Sequence, residues 1–426
     1  MKKLVLVALN EFDPAFFAYA SSQVSLPNIR KLLNLPHSDT WTADKLEKEG
    51  LDPWVQWVSI HTGTDSSHHG VKHLGDVPKL TRPQIWEELS LRGISSGIWG
   101  AMNASRGRAE QCRFFLPDPW TFSERAFPEE LNGLLALPRY YATNYLDTTL
   151  TQLLTGVAKL LGFLMSRPRL LIRLLSLSPI ALRGLMKFGL KSHLLFSLFD
   201  LVSVTTFLHY KKEFQPDFSL VFINSIAHMQ HNIWCQEGTL NAACGYTLQV
   251  IDRILGQLYE EGSELLVVNA LTQRNIANKK KAIVYRQINP IKFLAALGLP
   301  FKSVKQLMTN DAHVMFNTSR DACYARNALA NATLAGRKLF DVDYDESSPE
   351  KLFYQLDFWD ELAADAVFEV NGKKYQFYEH FEKLVERTGE HLQKGDVYST
   401  SLVFPDGMLN HKVYDHILEF YARTAA

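Results

Sequence analysis

Four short apolar segments, three of which run into polar residues, constrain the fold of this chain more than any other feature of its sequence. In chain order they are residues 4–9, 97–100, 218–224 and 265–269. Amphipathic stretches that run into a glycine, 85–92 and 247–261, precede the second and the fourth segment. Buried strands that alternate with helices at this spacing predict an α/β fold, with a mostly parallel central sheet flanked by helices.

The residues that follow the first, third and fourth of these strands are unusually rich in Asn, Gln and His. The first strand runs into Asn10 and Glu11, and the third and fourth lead into the polar stretches 224–231 and 269–273. In open α/β sheets, ligands bind outside the carboxyl ends of the strands. The sequence therefore predicts a ligand site at this edge of the sheet.

The charge balance limits the classes of partner. Lys plus Arg and Asp plus Glu number 45 each, so the formal net charge is zero, and 46% of the residues are hydrophobic. This composition excludes a disordered chain and argues against a nucleic-acid partner, which would need concentrated basic residues. The four cysteines show no CxxC spacing, and the apolar run 4–9 is too short for a signal peptide. We therefore expect a cytoplasmic protein with reduced thiols.

Residues 148–199 differ from the rest of the chain, because they contain seven Lys and Arg residues and no Asp or Glu. We predict a basic, apolar helical insertion over 148–212, and an α/β domain over 1–147 and 213–426. Two interpretations of the insertion stay open. It is either a helical cap over the sheet with solvated cations, or a basic amphipathic surface that contacts an anionic membrane peripherally through 148–199.

The carboxyl-terminal part has a mixed composition, which predicts an α+β portion. Residues 367–377 alternate around Asn371 and Gly372, and an Asn-Gly pair is a strong signal for a two-residue hairpin turn. Further on, His391 lies in a stretch bounded by glycines at 389 and 395, for which we predict a loop.

Five short motifs occur along the chain in the order Leu26-Pro27-Asn28-Ile29-Arg30-Lys31-Leu32, Thr62-Gly63, His69-Gly70, His231 after a strand, and Gly389-Glu390-His391. Their order resembles the alkaline phosphatase-like superfamily, in particular its type I phosphodiesterase/nucleotide pyrophosphatase branch. The resemblance covers about 4–100 and 218–273, plus the segment at His391. It implies an alkaline phosphatase-like fold and phosphoryl-type chemistry on metal ions.

The chain departs from the family pattern at most of the expected metal ligands. Asn10 replaces the first-strand Asp, Gln56 falls at the nucleophile position, and Ala227 replaces the Asp that precedes His231. The Ser-Asp-His-Gly block has become residues 269–272. By this resemblance the two-metal site is lost, and His231 and His391 remain as metal ligands. They could hold one divalent ion, zinc or manganese, with Glu11 as a third ligand.

The substituents are mostly amides and imidazoles, which are costly to bury unless they bind something, so a rebuilt site is favoured over decay. The predicted catalytic residues are Glu11 as general base, Gln56, His61 and His228. The predicted substrate-binding residues are Asn10, Trp57, Asn224, Asn269 and Gln273. For His68 and His69 a solvated loop is the simplest account. Tryptophans beside these polar groups suit sugar rings.

The leading hypothesis is an enzyme, a hydrolase or transferase, acting on a phospho- or sulfo-ester or on a glycan. Its substrate would be a small molecule, a sugar or a lipid-linked sugar, in envelope polysaccharide synthesis, and it would be cytoplasmic and peripheral to the inner membrane. The alternative is a catalytically inactive pseudoenzyme that binds a phosphorylated or sugar ligand.

Overall fold

The computed structural model describes residues 2–44, 51–144, 146, 149–235, 238–278, 282–307, 310–344 and 348–425. The chain divides into two compact units. The first consists of Met1–Leu135, Lys159–Asn278 and Thr388–Ala426, and the second of Ala136–Ala158 and Lys279–Arg387. The domain boundaries predicted at 147/148 and 212/213 do not coincide with the boundaries between these units.

The strands are β1 (Leu4–Leu9), β2 (His37–Trp41), β3 (Ser96–Ala101), β4 (Cys112–Pro117), β5 (Phe218–Ile223), β6 (Glu264–Val268), β7 (Thr272–Asn275), β8 (Ala282–Gln287), β9 (Ser303–Gln306), β10 (Asp311–Met315), β11 (Thr333–Leu334), β12 (Arg337–Lys338), β13 (Phe340–Tyr344), β14 (Lys351–Leu356), β15 (Val367–Val370), β16 (Lys373–Gln376), β17 (Phe381–Arg387), β18 (Gly389–Leu392), β19 (Lys394–Ser399) and β20 (Met408–Leu409).

The α-helices are α1 (Pro14–Gln23), α2 (Pro27–Leu33), α3 (Pro53–Thr62), α4 (Ser66–His69), α5 (Ile85–Leu91), α6 (Leu131–Asn144), α7 (Leu150–Met165), α8 (Pro168–Leu175), α9 (Ser178–Phe188), α10 (Ser192–Phe214), α11 (Ser225–Asn232), α12 (Ala242–Glu260), α13 (Pro290–Ala296), α14 (Ser319–Ala330) and α15 (Val413–Ala425).

The first unit is built on a central sheet of eight strands in the order β20-β2-β19-β6-β1-β5-β3-β4. The five strands from β6 to β4 are mutually parallel, and β19 runs antiparallel to both of its neighbours. Strands β1 and β5 are buried along their whole length, which explains why β1 is entirely apolar and β5 is apolar except for Ser219. The predicted α/β class with a mostly parallel sheet is confirmed.

Strand β1 is central, with β5 on one side and β6 on the other. Leu9 is in register with Ile223 of β5, and Ala8 with Val268 of β6. Since the three strands are parallel and end at the same level, the residues that follow them lie at one edge of the sheet. The side chains of Val5, Val7 and Leu9 contribute to a core that also includes residues of α10 and α12.

Helix α12 begins earlier than the sequence indicates. The predicted stretch was 247–261, whereas the helix starts at Ala242, because the side chain of Asn241 accepts a hydrogen bond from the Cys244 backbone N–H and caps it. Helix α5 ends just before Gly93, whose φ of +74° suits a glycine, as predicted.

Residues 149–212 lie mostly in the helices α7 to α10, and they do not form a compact unit of their own. Residues from 159 onward, including α8, α9 and α10, belong to the first unit. Among the described helices, α10 alone is long and apolar enough to pass a length-and-composition test for a membrane span, and half of its apolar window is buried within the protein.

The second unit contains two four-stranded sheets, β13-β14-β10-β9 and β12-β11-β15-β16, and the pair β17-β8. The hairpin predicted around Asn371 and Gly372 is confirmed, since Val370 of β15 pairs with Lys373 of β16 and both turn residues have a positive φ. The core of this unit is separate and rich in aromatic residues from β8, β13, β14 and β17.

Candidate metal and active site

Glu11 occupies an unusual backbone conformation directly after β1. Its φ is +59°, in the left-handed region that disfavours residues other than glycine and costs about 1–3 kcal/mol. Its N–H donates to the Asn269 carbonyl (3.2 Å), and its own carbonyl accepts from Gln230 Nε2 (2.8 Å). The Gln230 Oε1 atom also accepts from the Asp13 N–H (3.0 Å). Gln230 therefore clamps the turn that directs the Glu11 side chain.

The Glu11 carboxylate is buried and surrounded by polar partners. Asn10 Nδ2 donates to Oε1 (2.9 Å), and Gln273 Nε2 donates to Oε2. Oε2 also lies 3.0 Å from Nε2 of both His231 and His391. Burial alone raises the pKa of the Glu11 carboxyl, but His391 and His231 outweigh it and hold that pKa well below the ordinary value of 4.5. Glu11 is therefore ionised at neutral pH.

The two histidines come from different parts of the first unit, His231 from α11 and His391 from β18. Their Nε2 atoms lie 3.1 Å apart. The predicted loop at His391 is wrong, because the residue lies in a short strand that pairs with β7, opposite Gln273. Strand β18 is tied to α11 through the Thr388 N–H, which donates to the His231 carbonyl (2.7 Å). This pairing brings the two imidazoles together.

The hydrogen bonding of His231 fixes its tautomer. Nδ1 lies 3.2 Å from the Gly389 carbonyl oxygen, which can only accept, so Nδ1 carries the proton. In neutral His231 the Nε2 lone pair then faces the cluster. A lone pair and a carboxylate oxygen 3.0 Å apart repel one another unless a proton or a cation lies beside them.

The chemistry of this donor set fits a divalent ion. The three atoms, Glu11 Oε2, His231 Nε2 and His391 Nε2, are 3.0–3.1 Å from one another. Ligand atoms about 2.1 Å from a tetrahedral zinc ion stand roughly 3.4 Å apart, so small side-chain movements would accommodate one. In the described part of the chain this is the one group of three potential metal ligands of the His, Cys, Asp and Glu type.

A chain of hydrogen bonds supports the cluster from the side of β5. Trp57 Nε1 donates to Asn10 Oδ1 (2.7 Å), and Asn10 Nδ2 also donates to Asn224 Oδ1 (2.8 Å). Asn224 Nδ2 is 3.3 Å from Nε2 of His228, whose pKa is lowered by burial to about 4. His228 is therefore neutral at pH 7 and orients Asn224.

The predicted site residues separate into two groups. The structure brings together Asn10, Glu11, Asn224, His228, His231, Gln273 and His391. The side chain of Gln56 instead bonds to Asp44 (2.6 Å) and Asn410 (2.8 Å). Asn269 bonds to the Phe12 carbonyl and to Asp396 through its side chain, and contacts Glu11 only through its backbone. His61 is fully buried at the end of α3.

Trp57 and His69 differ from what the sequence predicts. Trp57, predicted to bind substrate, is fully buried. His69, predicted to lie in a solvated loop, is fully buried as well. The Val71 N–H donates to His69 Nδ1 (3.1 Å), so Nε2 carries the proton and donates to Ser59 Oγ (3.2 Å). In this tautomer His69 cannot take a proton from Ser59, and the Ser-His pair is structural.

Two residues with a clear structural role were missed in the sequence. Gln230 clamps the Glu11 turn, and its position beside His231 in a polar segment was a usable signal. Gly389 is packed so closely that a Cβ there would lie 2.0 Å from Gln273 Oε1 and 2.8 Å from the Gln230 carbonyl oxygen. Nothing in the local sequence distinguishes this glycine from a turn glycine.

Comparisons with solved structures find several proteins of distant similarity. The chain is similar to phosphonoacetate hydrolase from Sinorhizobium meliloti 1021 (13% identity, TM-score 0.46, 100% of this chain and 95% of that chain). It is also similar to human ectonucleotide pyrophosphatase/phosphodiesterase 5, with 10% identity, a TM-score of 0.46, and coverage of 99% of this chain and 95% of that chain. A mutant of alkaline phosphatase PafA has 11% identity and a TM-score of 0.40, and the match covers 96% of this chain and 92% of that chain.

No family model matches the chain, and no curated protein matches it. Structural likeness at 10–13% identity and a TM-score below 0.5 is too weak to assign an activity. The function is therefore inferred from the side chains of this protein.

Proposed function

We propose that this chain is an ester hydrolase of the phosphodiesterase type, with one divalent ion, zinc or manganese, held by Glu11, His231 and His391. The observation that carries the proposal is the convergence of one ionised carboxylate and two imidazoles within 3.0–3.1 Å. Two histidines and a carboxylate are a known catalytic ligand set for zinc. A bound ion supplies a Lewis acid and activates water for attack on an ester.

The charge of the cluster supports a substrate with one negative charge. An ionised Glu11, two neutral histidines and a divalent ion sum to a single positive charge. A phosphodiester or a sulfate ester matches this charge, whereas a phosphomonoester dianion exceeds it. The amides of Asn10, Asn224 and Gln273 are neutral and do not change the balance.

The protein's own side chains keep the ligands in place. Asn10 and Gln273 donate to the two oxygens of the Glu11 carboxylate, and the Gly389 carbonyl fixes the tautomer of His231. Such supporting hydrogen bonds orient metal ligands, and their loss commonly weakens metal binding by about 10–100-fold. We assign Asn10 and Gln273 as positioning residues.

Direct attack by water is the reaction that the residues support. Gln56, at the nucleophile position of the resemblance, is an amide that is bonded to Asp44 and Asn410. Ser59 faces a histidine in the wrong tautomer to act as its base. A single displacement by water inverts the configuration at phosphorus. Retention of configuration with a chiral phosphorothioate diester would show a covalent intermediate and contradict this assignment.

Metal binding is tested first, without reference to activity. Protein purified without chelators is analysed for metals, and zinc and manganese binding is titrated by calorimetry for the wild type, Glu11→Gln and His391→Ala. We expect one equivalent in the wild type and at least a tenfold weaker site in each variant. The matched control is His68→Ala, which removes an exposed imidazole and should bind like the wild type. Unchanged binding in Glu11→Gln would overturn the assigned ligand set.

Turnover is tested next, with a phosphodiester, a phosphomonoester and a sulfate ester, each with and without added metal. We expect the diester or the sulfate ester to be hydrolysed faster than the monoester, and activity to fall with metal affinity in Glu11→Gln. Faster hydrolysis of the monoester would contradict the charge argument.

A non-catalytic binding module is the second candidate. It is favoured by Gln56, because an amide at the nucleophile position removes the residue that would form a covalent intermediate. A module of this kind would bind a phosphorylated or sugar ligand, lose affinity in Glu11→Gln, and hydrolyse none of the three esters. A transferase activity, a glycan or lipid-linked sugar substrate, a role in envelope polysaccharide synthesis, a cytoplasmic location and loss of the second metal site remain predictions.

A further inference from the structure

Helices α8 and α9, with the adjoining ends of α7 and α10, expose an unusual amount of apolar surface. We call residues 159–199 of the first unit the basic apolar surface. Six of its large apolar side chains are 55–82% exposed, namely Met165, Ile172, Leu175, Leu182, Met186 and Leu190. Large contiguous apolar patches are rare on proteins that have no partner there.

These helices are also firmly attached to the protein, so their exposure is not a sign of loose packing. Leu170, Leu177 and Leu194 are buried in the main core of the first unit. Gly184 of α9 is packed so closely that a Cβ would lie 2.4 Å from Leu194 and 2.5 Å from the Tyr246 hydroxyl. Each helix therefore buries one side and presents the other to the outside.

The charge on this surface has one sign. Between 159 and 199 there are seven Lys and Arg residues and no Asp or Glu, although the whole chain has equal numbers of both. Arg167 is engaged with Glu130 (3.1 Å) and with the Tyr210 hydroxyl (3.1 Å). The other six, which include Arg183 and Lys187, are exposed among the apolar side chains. Exposed Leu, Ile and Met interleaved with cations are the composition of helices that lie in a membrane interface.

We infer that the basic apolar surface docks on an anionic membrane leaflet, with its apolar side chains inserted between the headgroups and its cations against the lipid phosphates. A water-soluble partner protein or a second copy of this chain would satisfy the apolar side chains. A second copy, however, would bring the same uncompensated cations together, which is unfavourable. An anionic leaflet satisfies both the apolar area and the charge.

The surface is connected to the candidate site. Phe196, near the start of α10, stacks on His228 with ring centroids 3.7 Å apart and planes 5° from parallel. Its neighbours Leu195 and Phe199 are 37% and 44% exposed. Docking would thus hold the Glu11–His231–His391 cluster close to the lipid headgroups. If the proposed function holds, its substrate class is a phosphodiester carried by a lipid.

The test is flotation of the full chain with vesicles of phosphatidylcholine alone, or with 30% phosphatidylglycerol, at about 0.1 and 0.5 M salt. We expect flotation with the anionic vesicles, little with the neutral ones, and weaker flotation at high salt because screening increases. A wild type that does not bind the anionic vesicles at low salt, or that binds both kinds equally, would overturn the inference.

Variants separate the two contributions. Each basic residue near an anionic surface contributes about fivefold in affinity, so Arg183→Glu/Lys187→Glu should bind at least roughly 25-fold more weakly. The matched control is Arg82→Glu/Arg108→Glu, which reverses two exposed cations elsewhere in the first unit. Met186→Asp should also lose binding, whereas Val403→Asp, at a site that is equally exposed, should not. Vesicle binding by Met186→Asp at the level of the wild type would refute insertion.

Light scattering tests the competing occupant, a second copy of this chain. If the wild type is a dimer that does not bind vesicles, and Met186→Asp dissociates it, this face is a self-interface and the inference is wrong. Circular dichroism and thermal unfolding confirm that each variant is folded. Hydrolysis of a soluble diester separates the two proposals. If the wild type hydrolyses a soluble diester but does not bind vesicles, only the docking inference is refuted. If it binds vesicles but hydrolyses no ester, only the proposed function is refuted.

Discussion

His61 makes the stability of the first unit depend on pH. Its imidazole is fully buried against the rings of Trp57 and Trp86, and neither ring nitrogen has a hydrogen-bond partner among the described residues. Burial lowers the pKa of His61 from 6.5 to about 3. The unfolded chain therefore binds a proton between these pH values that the folded chain does not, and stability falls as the pH drops below about 6.5.

The size of the effect follows from the shift. One pKa unit corresponds to about 1.4 kcal/mol, so at pH 5 the histidine destabilises the fold by about 2 kcal/mol relative to pH 8. The variant His61→Leu has a similar volume, cannot titrate, and removes two buried polar atoms without partners. We expect it to be at least as stable as the wild type at pH 8, and to gain a further 2 kcal/mol or so by pH 5.

The assay is urea unfolding from pH 5 to 8, followed by tryptophan fluorescence, to which Trp57 and Trp86 contribute. The quantity compared is the difference in unfolding free energy between variant and wild type at each pH, which removes the contribution of other histidines. The control is Ile60→Val, a buried neighbour that cannot titrate, which should lower stability by about 0.5–1.5 kcal/mol equally at every pH. A constant difference for His61→Leu across this range would mean that the imidazole is not buried as a neutral group.

Two further substitutions test the surroundings of the site. Gly389→Ala places a methyl group 2.0 Å from Gln273 Oε1, so we expect a loss of about 1–3 kcal/mol in unfolding free energy and zinc binding weakened roughly tenfold or more by calorimetry. Asp200 is buried, and burial raises its pKa from 3.8 to about 6, so the folded state loses stability as the pH rises from 3.8 to about 6. Asp200→Asn should therefore stabilise by about 3 kcal/mol at pH 8 and hardly at all at pH 4 in thermal unfolding.

The control for Gly389→Ala is the same change at a glycine with room for a methyl group, and the pH dependence is the internal control for Asp200→Asn. Gly162→Ala, in a helix with open space around the glycine, should be neutral or stabilising, and it should bind zinc like the wild type. Normal zinc affinity in Gly389→Ala would show that Gln273 does not position Glu11. A stabilisation of Asp200→Asn that is equal at both pH values would show that its effect is not electrostatic.

The sheet and the polar edge were predictable because they depend on local patterns. Strands β1 and β5 are short, mostly apolar runs that are each followed by Asn, and that pattern has few other interpretations. The hairpin at Asn371 follows from the same kind of local rule. The start of α12 was misplaced because a capping side chain, Asn241, defines it rather than the amphipathic pattern.

The composition of the site was harder to predict, because it depends on contacts between distant residues. The meeting of His231 and His391 was inferred from the resemblance, and the pairing of β18 with β7 produces it. That Glu11 faces the cluster depends on a positive φ, which no side-chain pattern reports. Gln56 and Asn269 carry suitable groups but are bonded to Asp44 and Asp396, partners supplied by distant segments of the chain.

The left-handed backbone conformation of Glu11 lowers the stability of the folded protein, while the Glu11 side chain is needed for the proposed function. Glycine at this position would relax the chain and, in the same change, delete the carboxylate from the cluster. Selection for thermal stability alone would therefore favour glycine at position 11, and the selected variants would no longer bind an ion. Engineering for robustness should therefore keep residue 11 fixed and look for its gains elsewhere.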